Sequence, residues 1–334
     1  MPGASGRRSK EIVKPSLVAA VFTFCCLPLT ATAQPYPVKT ILVVSSSITG
    51  NSGDTAMRLA IPPAAAAMGQ ALVMENRTTA GGQVAAVAVK SAAPDGYTVL
   101  FMSPSHVNLY FLRKNPGFHP VDDFTPITKV IGVPSLFAIS TSLPVTTMRQ
   151  FIDYAKRNPG KIAYGSTGPG TGFHMIGEAF SADYGVSMLH VPYASGGVAL
   201  PVSDLANERL QLYFPSYISL LPVLKTGNVR VLSIVDRARL AVLPDVPAIF
   251  DELPDYKLLP SWFGLLAPAG TPGPIVSRLQ SEFRRALQSR EVASKLEALG
   301  ATPAGIPPEQ WGQELRSSTE TVGRIAKQLK LEPQ

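Results

Sequence analysis

The sequence predicts an α/β fold with mainly parallel sheets flanked by crossover helices. Three observations predict it. Short β-branched runs alternate with helical stretches along most of the chain. Two of the strand runs open directly into small polar or glycine-rich loops, "ILVV" into "SSSITGNSGD" and "KIAYG" into "STGPGTG", each followed by a helix. The chain has 334 residues, 46% hydrophobic and 16% charged, which is enough apolar material for two α/β domains and too much for a disordered chain.

The first 33 residues read as a cleavable signal peptide for export. A basic stretch runs to Lys14, an apolar run covers 17–29, and small residues at 31–33 suit a signal peptidase. The apolar run is short for a bilayer and Pro28 interrupts it, so the mature protein is expected not to span a membrane. Cys25 and Cys26, the two cysteines of the chain, both lie in this segment. Cleavage after Ala33 leaves no thiol for catalysis, disulfides or metal. The formal charge is +7, and Arg7, Arg8, Lys10 and Lys14 against Glu11 place +3 of it in the leader. The remainder forms no basic cluster, so no nucleic-acid partner is expected. The four histidines, His106, His119, His174 and His190, have no metal-ligand spacing, and neither a metal nor a cofactor is expected.

The elements follow in order. "ILVV" is a strand, and Asp54 is placed to cap the helix after it, which Pro62 and Pro63 should end or kink. "LVMEN", a helix around "AAVAVKSAA", and the strand "YTVLFM" complete a β-α-β-α-β unit with parallel strands. "SLFAIS" is a strand, and "TTMRQFIDYAKRNPG" a helix with Met148, Phe151, Ile152 and Ala155 on one face. "KIAYG", a helix over 173–184, "SMLHVPY", "LQLYF" and "VRVLSIV" continue the alternation. "WFGLLAP" is the last strand, and amphipathic helices start near Pro274 and Pro308. No flexible linker divides the chain, which fits two lobes joined by crossing strands.

The stretch from Tyr164 to His174 carries the chemistry. It fails as a nucleophile elbow, because Tyr164 stands where G-x-S-x-G needs glycine. It fails as a P-loop, because Thr171 stands where lysine is required. It fails as a dinucleotide loop, because Phe173 replaces the third glycine. A strand, a glycine-rich turn and a helix start remain. Free amides there, with the Ser166 and Thr171 hydroxyls, make a cradle for a small anion. "SSSITGNSGD" has the same placement, at the carboxyl edge of a parallel sheet. The alternatives left open are capping of the helix by Ser166 or Thr171, and a serine hydrolase using Ser166.

The chain resembles the Bug receptors, the periplasmic solute-binding proteins related to tripartite tricarboxylate transporters. The resemblance rests on "YP.K.I.VV" from Tyr36, "ENR...GG" from Glu75, "APDGYT.L" from Ala93 and "YGS.G.GT..H..GE" from Tyr164, then "HVPY" from His190, "LPDVP" from Leu243 and "W.GL.APAGTP" from Trp262. It implies a two-lobed type II periplasmic binding-protein fold, with lobe one at 36–132 plus 264–334, lobe two at 133–263, and a hinge of two crossing strands. It implies a monomeric, non-enzymatic receptor that captures a small carboxylate ligand between the lobes, held by amides and hydroxyls. The first-lobe contacts it implies are Ser46, Ser47, Ile48, Thr49, Asp54, Ala80, Gly81, Ser103, Ser105 and His106. Those of the second lobe are Ser166, Thr167, Gly170, Thr171, His174, Tyr193, Ser195, Gly196, Phe214 and Ser216. The implied partner is a tripartite tricarboxylate transporter membrane subunit or a sensor domain. Relative to the family pattern, Ser46 and Ser47 replace Pro-Phe, Asn51 replaces a glycine, Ala194 and Ser195 replace Lys-Gly, and Pro215 replaces an acid. These departures imply a polar carboxylate ligand without a demanding amino group.

Overall fold

The computed structural model describes residues 36–331 apart from Ile48, 194–196 and Pro260, with a few isolated positions at the two ends. The signal-peptide reading of residues 1–33 and the site residues Ile48, Ser195 and Gly196 lie outside the described residues.

The chain begins with β1 (Ile41–Ser45), α1 (Ser52–Met68), β2 (Leu72–Asn76), a 3-10 turn (Thr79–Gly82), α2 (Gln83–Lys90), β3 (Thr98–Met102), α3 (Pro104–Leu112) and β4 (Phe124–Gly132). It continues through β5 (Ser135–Ser140), α4 (Met148–Arg157), β6 (Ala163–Ser166), α5 (Gly172–Tyr184), β7 (Leu189–Pro192), α6 (Ala199–Ala206), β8 (Leu212–Tyr213), α7 (Tyr217–Leu224), β9 (Val229–Val235) and α8 (Ile249–Glu252). It ends with β10 (Trp262–Pro268), α9 (Gly273–Gln288), α10 (Arg290–Ala298), β11 (Thr302–Pro303) and α11 (Pro308–Gln328).

Two sheets result, ordered β11-β4-β10-β3-β1-β2 and β7-β6-β8-β5-β9. In the first, β1 to β4 point one way while β10 and β11 run against them. In the second, β5 alone runs against the other four. The sheets are therefore mainly parallel in direction, and the reversed strands β5 and β10 are those on which the chain enters a sheet from the other. Only Val133 and Pro134 join β4 to β5.

Apolar side chains fill both faces of each sheet, as parallel sheets with crossover helices require. Ile41, Val43, Val99 and Phe101 pack under α1 and α9 on one face. On the other, a buried cluster runs from Val44 and Leu100 through Trp311 and Leu315 to Phe137, Phe151 and Phe180 of the second sheet. Leu136, Leu205, Leu210 and Leu220 close the remaining face beneath α6 and α7.

Two expectations about α1 are corrected. The helix runs through Pro62 and Pro63 without ending. Each proline lacks the N–H for a bond four residues back, but Pro62 is exposed and Pro63 half-buried, so water can meet the freed carbonyls. Ala56, Ala60 and Ala64 stay buried on the opposite side and anchor the helix. Its cap is Asn51, whose side chain accepts the Asp54 N–H at 2.8 Å, and not Asp54. The longest strand, β4, carries Pro126 and matches none of the strand runs read from the sequence.

Candidate functional site: two sets of loops at the carboxyl edges of the sheets

In the first sheet the loops that matter all leave the carboxyl ends of parallel strands: 45–54 after β1, 76–82 after β2 and 102–106 after β3. A polar network pins the first of them. Asp54 Oδ2 accepts the Gly50 N–H at 3.0 Å and Arg58 Nε at 2.9 Å. Asn76 Nδ2 donates to Asp54 Oδ1 at 2.9 Å and to the Ser47 carbonyl at 2.8 Å. Arg58 also donates to Asn76 Oδ1 at 3.0 Å. Burial pushes the Asp54 carboxyl up, but hydrogen bonds from Arg58, the Gly50 amide and Asn76 outweigh it and hold it below the usual range. Both Asp54 oxygens accept bonds from the loop, α1 and the end of β2. Asp54 therefore pins the loop, and the cation beside it, Arg58, is spent as well.

The second and third loops meet the first at Gly82. A Cβ there would stand 2.5 Å from Ser46 Cβ and 2.9 Å from His106 Nε2, at φ +94. Just before it, Ala80 and Gly81 also have positive φ, 54° and 69°, which turns the chain sharply beside the site. His106 lies on the first turn of α3 and is fully buried. Its Nδ1 lies 3.3 Å from the Ser103 carbonyl, while its Nε2 and the Ser47 hydroxyl are both buried without a hydrogen-bond partner. Burial lowers the His106 pKa to about 4, with the Ser103 and Gly82 carbonyls partly opposing, so the ring is neutral near pH 7. Ser46 and Ser103 are half-buried, and Thr49 and Ser105 are exposed.

In the second sheet the loops again leave parallel strand ends, at Ser166 of β6, Pro192 of β7 and Tyr213 of β8. The glycine-rich turn is internally bonded. Gly168 N–H donates to Ser166 Oγ at 3.0 Å, and Gly170 N–H donates to His174 Nδ1 at 3.0 Å. Thr171 Oγ donates to the Gly168 carbonyl at 2.8 Å, and Ser166 Oγ lies 2.7 Å from His190 Nε2. This corrects the expectation that Ser166 and Thr171 offer hydroxyl donors, because both protons have partners within the loop. The open donors lie one step on. Thr171 makes no side-chain cap of α5, so the amides of Gly172, Phe173 and His174 in its first turn remain without intrahelical partners.

The other second-sheet residues divide. Thr167, Gly170 and Thr171 are half-buried on the loop. Tyr193 N–H donates to the Ser166 carbonyl at 2.8 Å, and its hydroxyl donates to Asp204 at 2.9 Å, which fixes the segment after β7. Burial, then Asp204, raises the Tyr193 pKa to about 12. Phe214 is fully buried among Phe137 and Tyr164, so its side chain is core and not a wall of the site. Ser216 starts α7 and lies 3.0 Å from Ser219 Oγ.

The two sets of loops face each other. Ser52 Oγ, at the start of α1, donates to Ser216 Oγ at 3.4 Å. A Cβ on Gly170 would stand 2.4 Å from Leu112 Cδ1, so the glycine turn rests against the end of α3. Two cavities, of about 510 and 580 Å³, lie elsewhere, one lined by Lys129, Asp236 and Glu314, the other by Thr125, Thr271 and Arg316. Neither includes any of these loops, and neither is lined by an unpartnered buried polar atom. The buried atoms left without partners at Ser47 and His106 make the loop junction the better site. Asn51, Arg58 and Asn76 were missed as shaping residues; the spacing of Asp54 and Arg58, four residues apart, was the available signal.

Comparison with known proteins fits this geometry. BugT of Bordetella pertussis is 29% identical over 282 residues, 83% of this chain and 85% of BugT. A UPF0065 protein of Pseudomonas sp. is 30% identical over 298 residues, 89% of this chain and 88% of the relative. Among solved structures, R. palustris Rpa4515 with adipate superimposes with TM-score 0.76 at 30% identity, covering 90% of this chain and 100% of that one. MatC from Rhodopseudomonas palustris with bound malate gives TM-score 0.71 at 28% identity, covering 87% and 99%. The periplasmic binding protein BugD gives 0.73 at 26% identity, covering 90% and 100%. Residues 57–331 match the family described as the tripartite tricarboxylate transporter family receptor, and with its two-lobed fold and facing loops the chain belongs to that family of periplasmic solute-binding receptors.

Proposed function

We propose that the protein is a receptor that closes on a small carboxylate between the loops of its two sheets. The observation that carries this reading is the junction of Ser46, Ser47, Gly82 and His106, opposite the uncapped start of α5. Amide and hydroxyl dipoles suit a carboxylate there, since Arg58 is held by Asp54, Arg77 by Glu75, and the other loops carry no lysine or arginine. The buried Ser47 hydroxyl, which has no partner among the described residues, can donate to the carboxylate. Nothing in these loops offers a free acid to hold an amino group. The ligand is therefore a mono- or dicarboxylate, and hydroxyl substituents are welcome. The adipate and malate of the R. palustris structures set the size range for the first probes.

The lobes are proposed as 36–132 plus 264–334 and 133–263, hinged at the two crossings. The first 33 residues are proposed to direct export and to be removed, with a membrane transporter subunit or a sensor domain as the partner of the liganded form. Thermal unfolding against a panel of C3 to C6 carboxylates tests the central reading. At least one is expected to raise Tm in proportion to the logarithm of its concentration. A panel without any shift overturns it.

A further inference from the structure

Two histidines stand behind the glycine turn, and they are wired differently. His174 turns its ring back so that Nδ1 accepts the Gly170 N–H at 3.0 Å. An amide can only donate, so Nδ1 carries a lone pair and the ring proton sits on Nε2. His190 packs against the His174 ring at 4.3 Å and against Tyr164 at 5.1 Å, with its Nε2 2.7 Å from Ser166 Oγ. Ser166 Oγ accepts the Gly168 N–H at 3.0 Å and has the Gly168 carbonyl 3.1 Å away.

The consequences of adding a proton differ accordingly. A protonated His190 donates to Ser166 Oγ, and the serine turns its own proton to the Gly168 carbonyl; every bond has a counterpart. A protonated His174 has no such outlet. Its new Nδ1–H points at the Gly170 N–H, donor against donor, and one of the two must move. Gly170 has φ +76 and rests on Leu112, so any movement of the turn is felt at its contact with the other lobe.

We infer that His174 is a positioning residue and the proton-sensitive latch of the glycine turn: neutral, it holds Gly170 in place; protonated, it releases the turn and ligand affinity falls. Only the affinity arm rests on the carboxylate-receptor reading. The charged or titratable groups facing the ring are Glu178 on α5 itself, with Oε1 4.0 Å from His174 Nε2, and His190 on β7. Tyr164 on β6 donates its hydroxyl to that Glu178 oxygen at 2.5 Å. The packed helices α3 and α11 bring His106 and Tyr110, and Glu309, Glu314, Arg316, Glu320, Arg324 and Lys327. None of these hydrogen-bonds or ion-pairs with the His174 ring. Burial holds the His174 pKa below the ordinary histidine value, Glu178 partly opposing, which leaves the neutral latch in place at neutral pH.

The experiment is a pH titration of the labelled protein by NMR, without ligand. At pH 8 the His174 ring is expected as the Nε2–H tautomer, and on acidification below pH 6.5 the Gly170 amide is expected to shift together with that ring. An Nδ1–H tautomer, or a Gly170 amide that ignores the ring, overturns the latch. Affinity for adipate and malate is then measured from pH 8 to 5 in the native protein and in His174→Asn, whose side-chain carbonyl accepts without titrating. Both proteins carry the ligand's own ionisation. The native Kd is expected to rise relative to the variant by up to about tenfold per pH unit below the ring's pKa, the limit for one linked proton. Coincident pH slopes overturn the coupling. If neither probe binds, the receptor reading suffers while the tautomer and the Gly170 titration still decide the latch.

Discussion

Gly82 and His106 approach so closely that a Cβ on the glycine would stand 2.9 Å from His106 Nε2. The same Cβ would meet Ser46 Cβ at 2.5 Å, and φ there is +94. Gly82→Ala therefore has both a steric and a backbone penalty, of about 1–3 kcal/mol each. Urea unfolding is expected to register their sum, a loss of about 2–6 kcal/mol, and carboxylate binding to weaken with it. An alanine variant with native stability and native binding would remove Gly82 from the centre of the site.

Asp54 is a framework residue in this arrangement. Asp54→Ala strands the Gly50 amide, Asn76 and Arg58 together, and is expected to cost about 1–3 kcal/mol in chemical denaturation. The folded carboxyl has a lowered pKa, so its contribution is present above the ordinary carboxylate range and fades as pH falls through the folded value. The acid-side slope of stability is expected to be shallower in the variant.

His106 supplies a second acid sensitivity, in a higher window. Its folded pKa of about 4 lies below the ordinary 6.5. A depressed histidine contributes stability that is present above pH 6.5 and lost as pH falls toward 4, about 3 kcal/mol at the limit. The lowered values of His174 and His190 act in the same direction. Stability curves from pH 7 to 4 are expected to flatten most in His106→Asn; an unchanged curve would mean that the ring is solvated.

Gly170 and Leu112 form a contact between the two sheets that can be measured as a coupling. Gly170→Ala drives a Cβ to 2.4 Å from Leu112 Cδ1. With Leu112→Ala the space reappears. A double-mutant cycle on ligand affinity is expected to give a coupling of about 0.5–3 kcal/mol. Additive effects would mean that the turn and α3 do not meet in the liganded state.

Much of the fold is legible in the sequence because most strands are continuous apolar runs that end in turn residues. β1, β3, β6 and β9 match the runs "ILVV", "YTVLFM", "KIAYG" and "VRVLSIV". β4 is not legible in this way, because Pro126 and the irregularly spaced Thr125, Thr128 and Lys129 disguise a strand that is stabilised by β10 beside it. α1 defeats local rules for the opposite reason: burial of its alanine face offsets two prolines. At the site, the loops could be placed from their strand ends, but the direction of each hydrogen bond could not. Ser166 and Thr171 look like donors in a sequence. Their protons are taken by neighbours that only folding brings close, His190 or the Gly168 carbonyl for one and the Gly168 carbonyl for the other. Phe214, an implied contact, has its ring fully buried against Phe137 and Tyr164, a packing that only the folded chain reveals.

The short passage from β4 to β5 has a mechanical consequence. Val133 and Pro134 span at most about 11 Å between the flanking strand ends, even fully extended. A tether of that length forbids the sheets to slide apart or translate past one another. The remaining freedom is rotation about the tether, with displacement growing along each lever arm. The loops at Ser46 and Gly170 follow β1 and β6 of different sheets, so a few degrees at a two-residue pivot would change the gap between them.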